Sequence, residues 1–109
     1  MAILEFTVSI SPIETYNILN DEVNAELVHR EIKNIDAGKQ FVVMVFEKYY
    51  FRAENRAALT IIIDNVEGIT SLRVIAAGSS KGWLFNFDWG AAESFADSIR
   101  KILEQYIIR

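Results

Sequence analysis

Leu4, Phe6, Val8 and Ile10 alternate with Glu5, Thr7 and Ser9, the period-two pattern of a strand with one buried face. Ser11-Pro12-Ile13-Glu14 then spells a helix start. Ser11 serves as N-cap, Pro12 fits the first helical position, and Glu14 completes a capping box. The short helix that follows carries Ile13, Tyr16 and Leu19 as its inner stripe and ends near Asn20-Asp21. Glu22 to Asp36 carries two signals. Val28, Ile32 and Ile35 suit a helix face, but Asp36-Ala37-Gly38-Lys39 reads as a hairpin turn into a strongly strand-like segment. A long, mostly exposed strand is therefore the expected form. Phe41 to Phe51 is a second long strand, apolar on both faces at its start. A turn around Ala53-Glu54-Asn55 leads into Ala57 to Ile63. Asp64-Asn65-Val66-Glu67-Gly68 is another hairpin turn, and Ile69 to Ala77 the next strand.

The last segment is a long amphipathic helix opened by Gly90. Ala92, Phe95, Ala96, Ile99, Ile102, Leu103 and Tyr106 recur at three- and four-residue steps, with Glu93, Asp97, Arg100, Lys101 and Glu104 on the other side. Asp97 and Lys101 stand in a favourable i,i+4 orientation. The expected fold is thus one α+β domain over residues 1–109. Its order is β-α-β-β-β-β-α, with an antiparallel meander packed on one face against a short N-terminal and a long C-terminal helix.

Between the last strand and that helix lies the densest aromatic run in the chain, Trp83-Leu84-Phe85-Asn86-Phe87-Asp88-Trp89. If it is extended, it adds one further edge strand and sets Trp83, Phe85, Phe87 and Trp89 on one face. Each ring can bury about 150–250 Å², so the row needs a cover. Three covers fit: the domain's own core beneath the last helix, an apolar ligand cavity between helix and sheet, or a protein partner. In the ligand case Lys81, beside the row in the Gly78-Ser79-Ser80-Lys81-Gly82 connection, is placed to hold an anionic head group.

A second apolar surplus is independent of that row. Phe41, Val43 and Val45 face opposite to Val42, Met44 and Phe46, and Ile61, Ile62 and Ile63 fill both faces of their strand. With both helices on one side, the other face of an antiparallel sheet is normally polar. Its apolar character points to a cover, most simply a second copy of the chain.

Composition narrows the chemistry. Fifteen acidic residues against eleven basic ones give a net charge of −4, and the basic residues are scattered, which argues against a nucleic-acid partner. Aromatic stacking on single strands would need a basic groove that the chain lacks. With no cysteine there is neither a disulfide frame nor a thiolate metal site. The longest apolar run, Phe41 to Phe46, is too short to span a bilayer, and Leu4 to Val8 alternates where a signal peptide would run apolar. A cytoplasmic protein is the expectation. His29, the single histidine, sits in Val28-His29-Arg30-Glu31 without ligand-type spacing to other donors, so neither metal nor cofactor is expected. The Gly78–Gly82 loop lacks P-loop spacing and the helix such a loop requires, and Glu93 with Asp97 reads as a solvated helix face. No acid, base and nucleophile are assembled, and no catalytic residue is expected.

The order of elements resembles the helix-grip or TATA-binding-protein-like architecture, in which a curved antiparallel sheet wraps a C-terminal helix. Gly78-Ser79-Ser80-Lys81-Gly82 followed by Phe87-Asp88-Trp89-Gly90 is similar to an uncharacterised family of small bacterial proteins of the Firmicute kind. That resemblance implies no function. The expectation drawn from the residues is a small non-enzymatic interaction module that self-associates through an apolar sheet face. The alternative is a carrier or sensor of an amphipathic ligand at Lys81, Trp83, Phe85, Phe87 and Trp89.

Overall fold

The computed structural model describes residues 2–50, 55–80 and 87–108. Five strands form one antiparallel sheet: β1 (Ala2–Val8), β2 (Glu26–Ile35), β3 (Lys39–Tyr50), β4 (Asn55–Asp64) and β5 (Thr70–Ser80). Their order across the sheet is β1-β5-β4-β3-β2. Strands β2 to β5 follow one another as a meander, and β1 pairs with β5 to close the far side. Helix α1 (Pro12–Glu22) leaves β1, and α2 (Phe87–Ile102) follows β5, ending in a 3-10 turn at Glu104–Tyr106. The α+β class and the order of elements are those expected from the chain.

Helix α1 starts as its capping box requires. The Ser11 side chain accepts from the Glu14 amide at 3.2 Å, and the Ser11 amide donates to the Glu14 carboxylate at 3.1 Å. Thr15 takes an inner position beside Tyr16 and Leu19, its hydroxyl satisfied by donating to the Ser11 carbonyl at 2.8 Å, whereas Ile13 is half-buried.

One face of the sheet carries the core. Val42, Met44 and Phe46 of β3, Leu59, Ile61 and Ile63 of β4, and Leu72, Val74 and Ala76 of β5 lie in register on it and are buried. Phe95, Ala96, Ile99 and Leu103 of the C-terminal segment join the same cluster, as do Tyr16 and Leu19 of α1. Both helices therefore cover this one face, α2 over β1, β4 and β5, and α1 over β3 and β4. On the outer side of α2, Asp97 accepts from Arg100 at 2.9 Å and lies 3.8 Å from Lys101.

The two hairpin turns sit side by side. Asn65, in the β4–β5 turn, accepts from the Gln40 amide at 2.7 Å and donates to the Gly38 carbonyl of the β2–β3 turn at 3.4 Å. In the latter, Ala37 (φ 64°) and Gly38 (φ 76°) both have positive φ, the signature of a type I′ turn. Alanine is poorly suited to that conformation because its Cβ crowds the backbone. Ala37→Asn is expected to raise the unfolding free energy by about 0.5–1 kcal/mol in reversible denaturation. An unchanged or lower stability would mean that this turn is not strained as described.

Two expectations need correction. Helix α2 begins at Phe87 instead of Gly90, so Phe87 and Trp89 have helical backbone and do not continue an extended row. Period-two alternation has no meaning where the backbone turns about 100° per residue. Gly78-Ser79-Ser80 is not a loop: these residues finish β5, paired with Ala57, Arg56 and Asn55 of β4. Lys81, Trp83 and Phe85 lie outside the described residues, so an edge strand across 83–89 is excluded only for its last three positions.

Candidate functional site

The candidate site is the face of the sheet turned away from the helices. Strand register places its side chains in rows across four and five strands. One row runs Ile3, Ile75, Thr60, Val45 and His29; the next, Glu5, Arg73, Ile62, Val43 and Glu31; a third, Thr7, Ser71, Asp64, Phe41 and Lys33; and a fourth, across β5 to β2 only, Ala77, Ala58, Glu47 and Glu26. Phe41, Val43, Val45, Ile62 and Ile75 make an apolar centre over β3, β4 and β5 and are half-buried. Among the described residues, the helices pack on the opposite side chains of these strands. Ile3, 57% exposed, extends the patch toward β1.

Charge surrounds this centre with both signs. Glu5 and Arg73 are cross-strand neighbours on one side, and His29, Glu31 and Lys33 line the other. His29 is exposed and its Nε2 lies 3.0 Å from the Glu31 carboxylate, with Lys33 3.9 Å away on the other side. The hydrogen bond from His29 holds the Glu31 carboxyl below the ordinary glutamate range, with the charges of His29 and Lys33 acting in the same direction. The folded value being the lower one, the associated stabilisation is present above the ordinary range and is lost as pH falls through it. The pair is fully solvated and its contribution small.

A second concavity lies on the helix side. A cleft of about 350 Å³ opens between the end of α1, β3 and α2, with Lys48, Ser94, Phe95, Ser98, Lys101 and Ile102 among its walls. It occupies the place where a ligand between sheet and C-terminal helix was expected. Among the described residues Glu22 and Asn24 complete the lining, and only Phe95 and Ile102 supply large apolar surface. Of the sequence-derived candidates, Phe87 and Trp89 stand in the first turn of α2, and Lys81, Trp83 and Phe85 are outside the described residues. Among the described residues no group of three or more His, Asp and Glu side chains converges to hold a metal ion. No described helix is long and apolar enough to cross a membrane.

A family model described as a family of unknown function (DUF6054) matches residues 1–107. No curated protein matches. Among solved structures, a conserved hypothetical protein from Pyrococcus furiosus is similar at 12% identity with a TM-score of 0.38, over 98% of this chain and 95% of that one.

Proposed function

Because the chain belongs to the DUF6054 family, whose function is unknown, we propose its role from the molecule's own surfaces: a small, non-enzymatic interaction module that forms a homodimer through the open sheet face. One observation carries this reading. Phe41, Val43, Val45, Ile62 and Ile75 form an apolar centre, interrupted by Thr60 and Arg73, on a face that neither helix covers. Antiparallel sheets with helices on one side ordinarily present polar residues on the other.

The dimensions suit a second copy. Five strands at about 4.8 Å spacing and four side-chain rows about 6.7 Å apart give on the order of 600 Å² per copy. Two copies then bury about 1,200 Å², the lower end of specific interfaces. Sheets stack about 10 Å apart, a spacing that side chains of this size fill. A mixed-sign rim around an apolar centre is the anatomy of a self-complementary contact, in which one patch meets itself across a two-fold axis. Sedimentation equilibrium at micromolar concentrations is expected to show a monomer–dimer equilibrium. A strictly monomeric species throughout that range removes the proposal.

The helix-side cleft supports a second reading, a carrier or sensor of a small amphipathic ligand. Lys48, Lys101 and Glu22 stand at its walls with Phe95 and Ile102, so a molecule with one charged end and one apolar end fits the chemistry. Native mass spectrometry of freshly purified protein is expected to show a co-purifying small mass under this reading. A bare polypeptide mass, with no retention of decanoate added in excess, counts against it.

A further inference from the structure

We infer that the free edge of β2 is a second self-pairing surface, where two copies join their sheets side by side into one continuous sheet with Ile32 on the two-fold axis. This contact is centred on the edge and not on the apolar face, sharing with the face contact only the rim residues His29, Glu31 and Lys33, and neither requires the other.

Strand β2 ends the sheet, and its outer backbone groups have no strand partner among the described residues. It is ten residues long and exposed over almost its whole length, with Val28, Ile32 and Ile35 among the exposed large apolar side chains. The other edge differs. The C-terminal segment lies along the end of β1, where the Ser9 amide donates to the Tyr106 carbonyl and the Ile108 amide to the Thr7 carbonyl, both at 2.9 Å. A long, uncovered edge strand is a template for pairing with another chain.

The charges on β2 favour the register centred on Ile32, which pairs opposite charges. A two-fold axis normal to the sheet passes through one residue of the strand, which then faces itself. Centring on Arg30, Glu31 or Lys33 sets like charges directly opposite, a destabilising arrangement. Centring on Ile32 sets isoleucine against isoleucine and places Glu31 opposite Lys33 of the second copy, twice over by symmetry. The same register sets Arg30 opposite Asn34 and His29 opposite Ile35. The seven-residue ladder from His29 to Ile35 then runs between two natural stops, the bulge between Leu27 and His29 and the turn after Ile35.

The absence of native cysteine makes the test clean. Residues directly opposite in an antiparallel pair have Cα atoms about 4.5–5.5 Å apart, within disulfide range. Under mild copper-phenanthroline oxidation, full-length Ile32→Cys is expected to form a disulfide-linked dimer at least tenfold faster than Asn17→Cys on the exposed side of α1. Glu31→Cys and Lys33→Cys should each crosslink poorly alone, their symmetry mates being about 8 Å apart, yet give the mixed disulfide when combined. Adding Ile62→Lys, which disables the face contact, should leave the Ile32→Cys crosslink intact. The inference is overturned if Ile32→Cys reacts no faster than the control or the mixed pair gives no heterodimer. Either result would leave the edge to an extended segment of another protein, or to nothing.

Discussion

Replacing Ile99 by Ala is expected to lower the unfolding free energy by about 2–5 kcal/mol, and Phe95→Ala by about 3–5 kcal/mol. Ile99 has no exposed surface and Phe95 is 4% exposed, and both join the cluster built by β3, β4 and β5. Truncation removes their transfer free energy and leaves a void between α2 and the sheet that rigid strands cannot collapse into. Urea denaturation followed by far-ultraviolet circular dichroism measures the effect. A loss below about 0.5 kcal/mol at either position would mean that α2 docks elsewhere, and the assignment of the open face would fall with it.

The second large effect separates association from folding. Ile62→Lys places a cation at the centre of the open face, beside Val43 and Arg73. In the isolated chain its aliphatic stem can lie along the neighbouring strands with the ammonium in water, so folding stability should change by less than about 1 kcal/mol. In the dimer two such ammonium groups would be desolvated near the axis, and dissociation should increase at least a hundredfold, about 2.8 kcal/mol. Gel filtration coupled to light scattering across a dilution series checks this. An Ile62→Lys protein that associates as the wild type does would show that the contact lies on another surface.

Much of the architecture was legible because most strands have one face in the core. In β4 and β5 the buried residues fall at every second position, as strands with one covered face require, although Ile61, Ile62 and Ile63 are apolar on both. The capping box at Ser11 and Glu14, and the stripe through Phe95, Ile99 and Leu103, were equally plain, each being a local signal with its own physical cause. Strand β2 gave an ambiguous pattern for a reason the fold supplies. As an edge with almost every residue exposed, it has no buried face to impose a period of two.

Only the end of the aromatic run misled, for a different reason. The alternation over Phe87-Asp88-Trp89 imitates a strand, and Gly90 imitates a helix start, but the helical backbone already begins at Phe87. Likewise Gly78-Ser79-Ser80 has the composition of a hinge, yet pairing with Asn55–Ala57 of β4 keeps it in the sheet. Tertiary pairing overrides local propensity in such segments. The candidate site was visible as two-faced apolarity in β3 and β4. Its charged rim was not, because cross-strand neighbours such as Glu5 and Arg73 are set by register alone.

The most direct measurement of the central claim is isotope-filtered nuclear magnetic resonance on a mixture of methyl-labelled and unlabelled chains. Burial of the open face against a second copy predicts intermolecular Overhauser contacts among the methyl groups of Val43, Val45, Ile62 and Ile75 and the ring of Phe41. Contacts from core methyls such as Val42, Ile61 and Val74, on the helix-covered face, should be absent. Intermolecular contacts confined to β2, or none at concentrations where the protein is dimeric, would contradict the account.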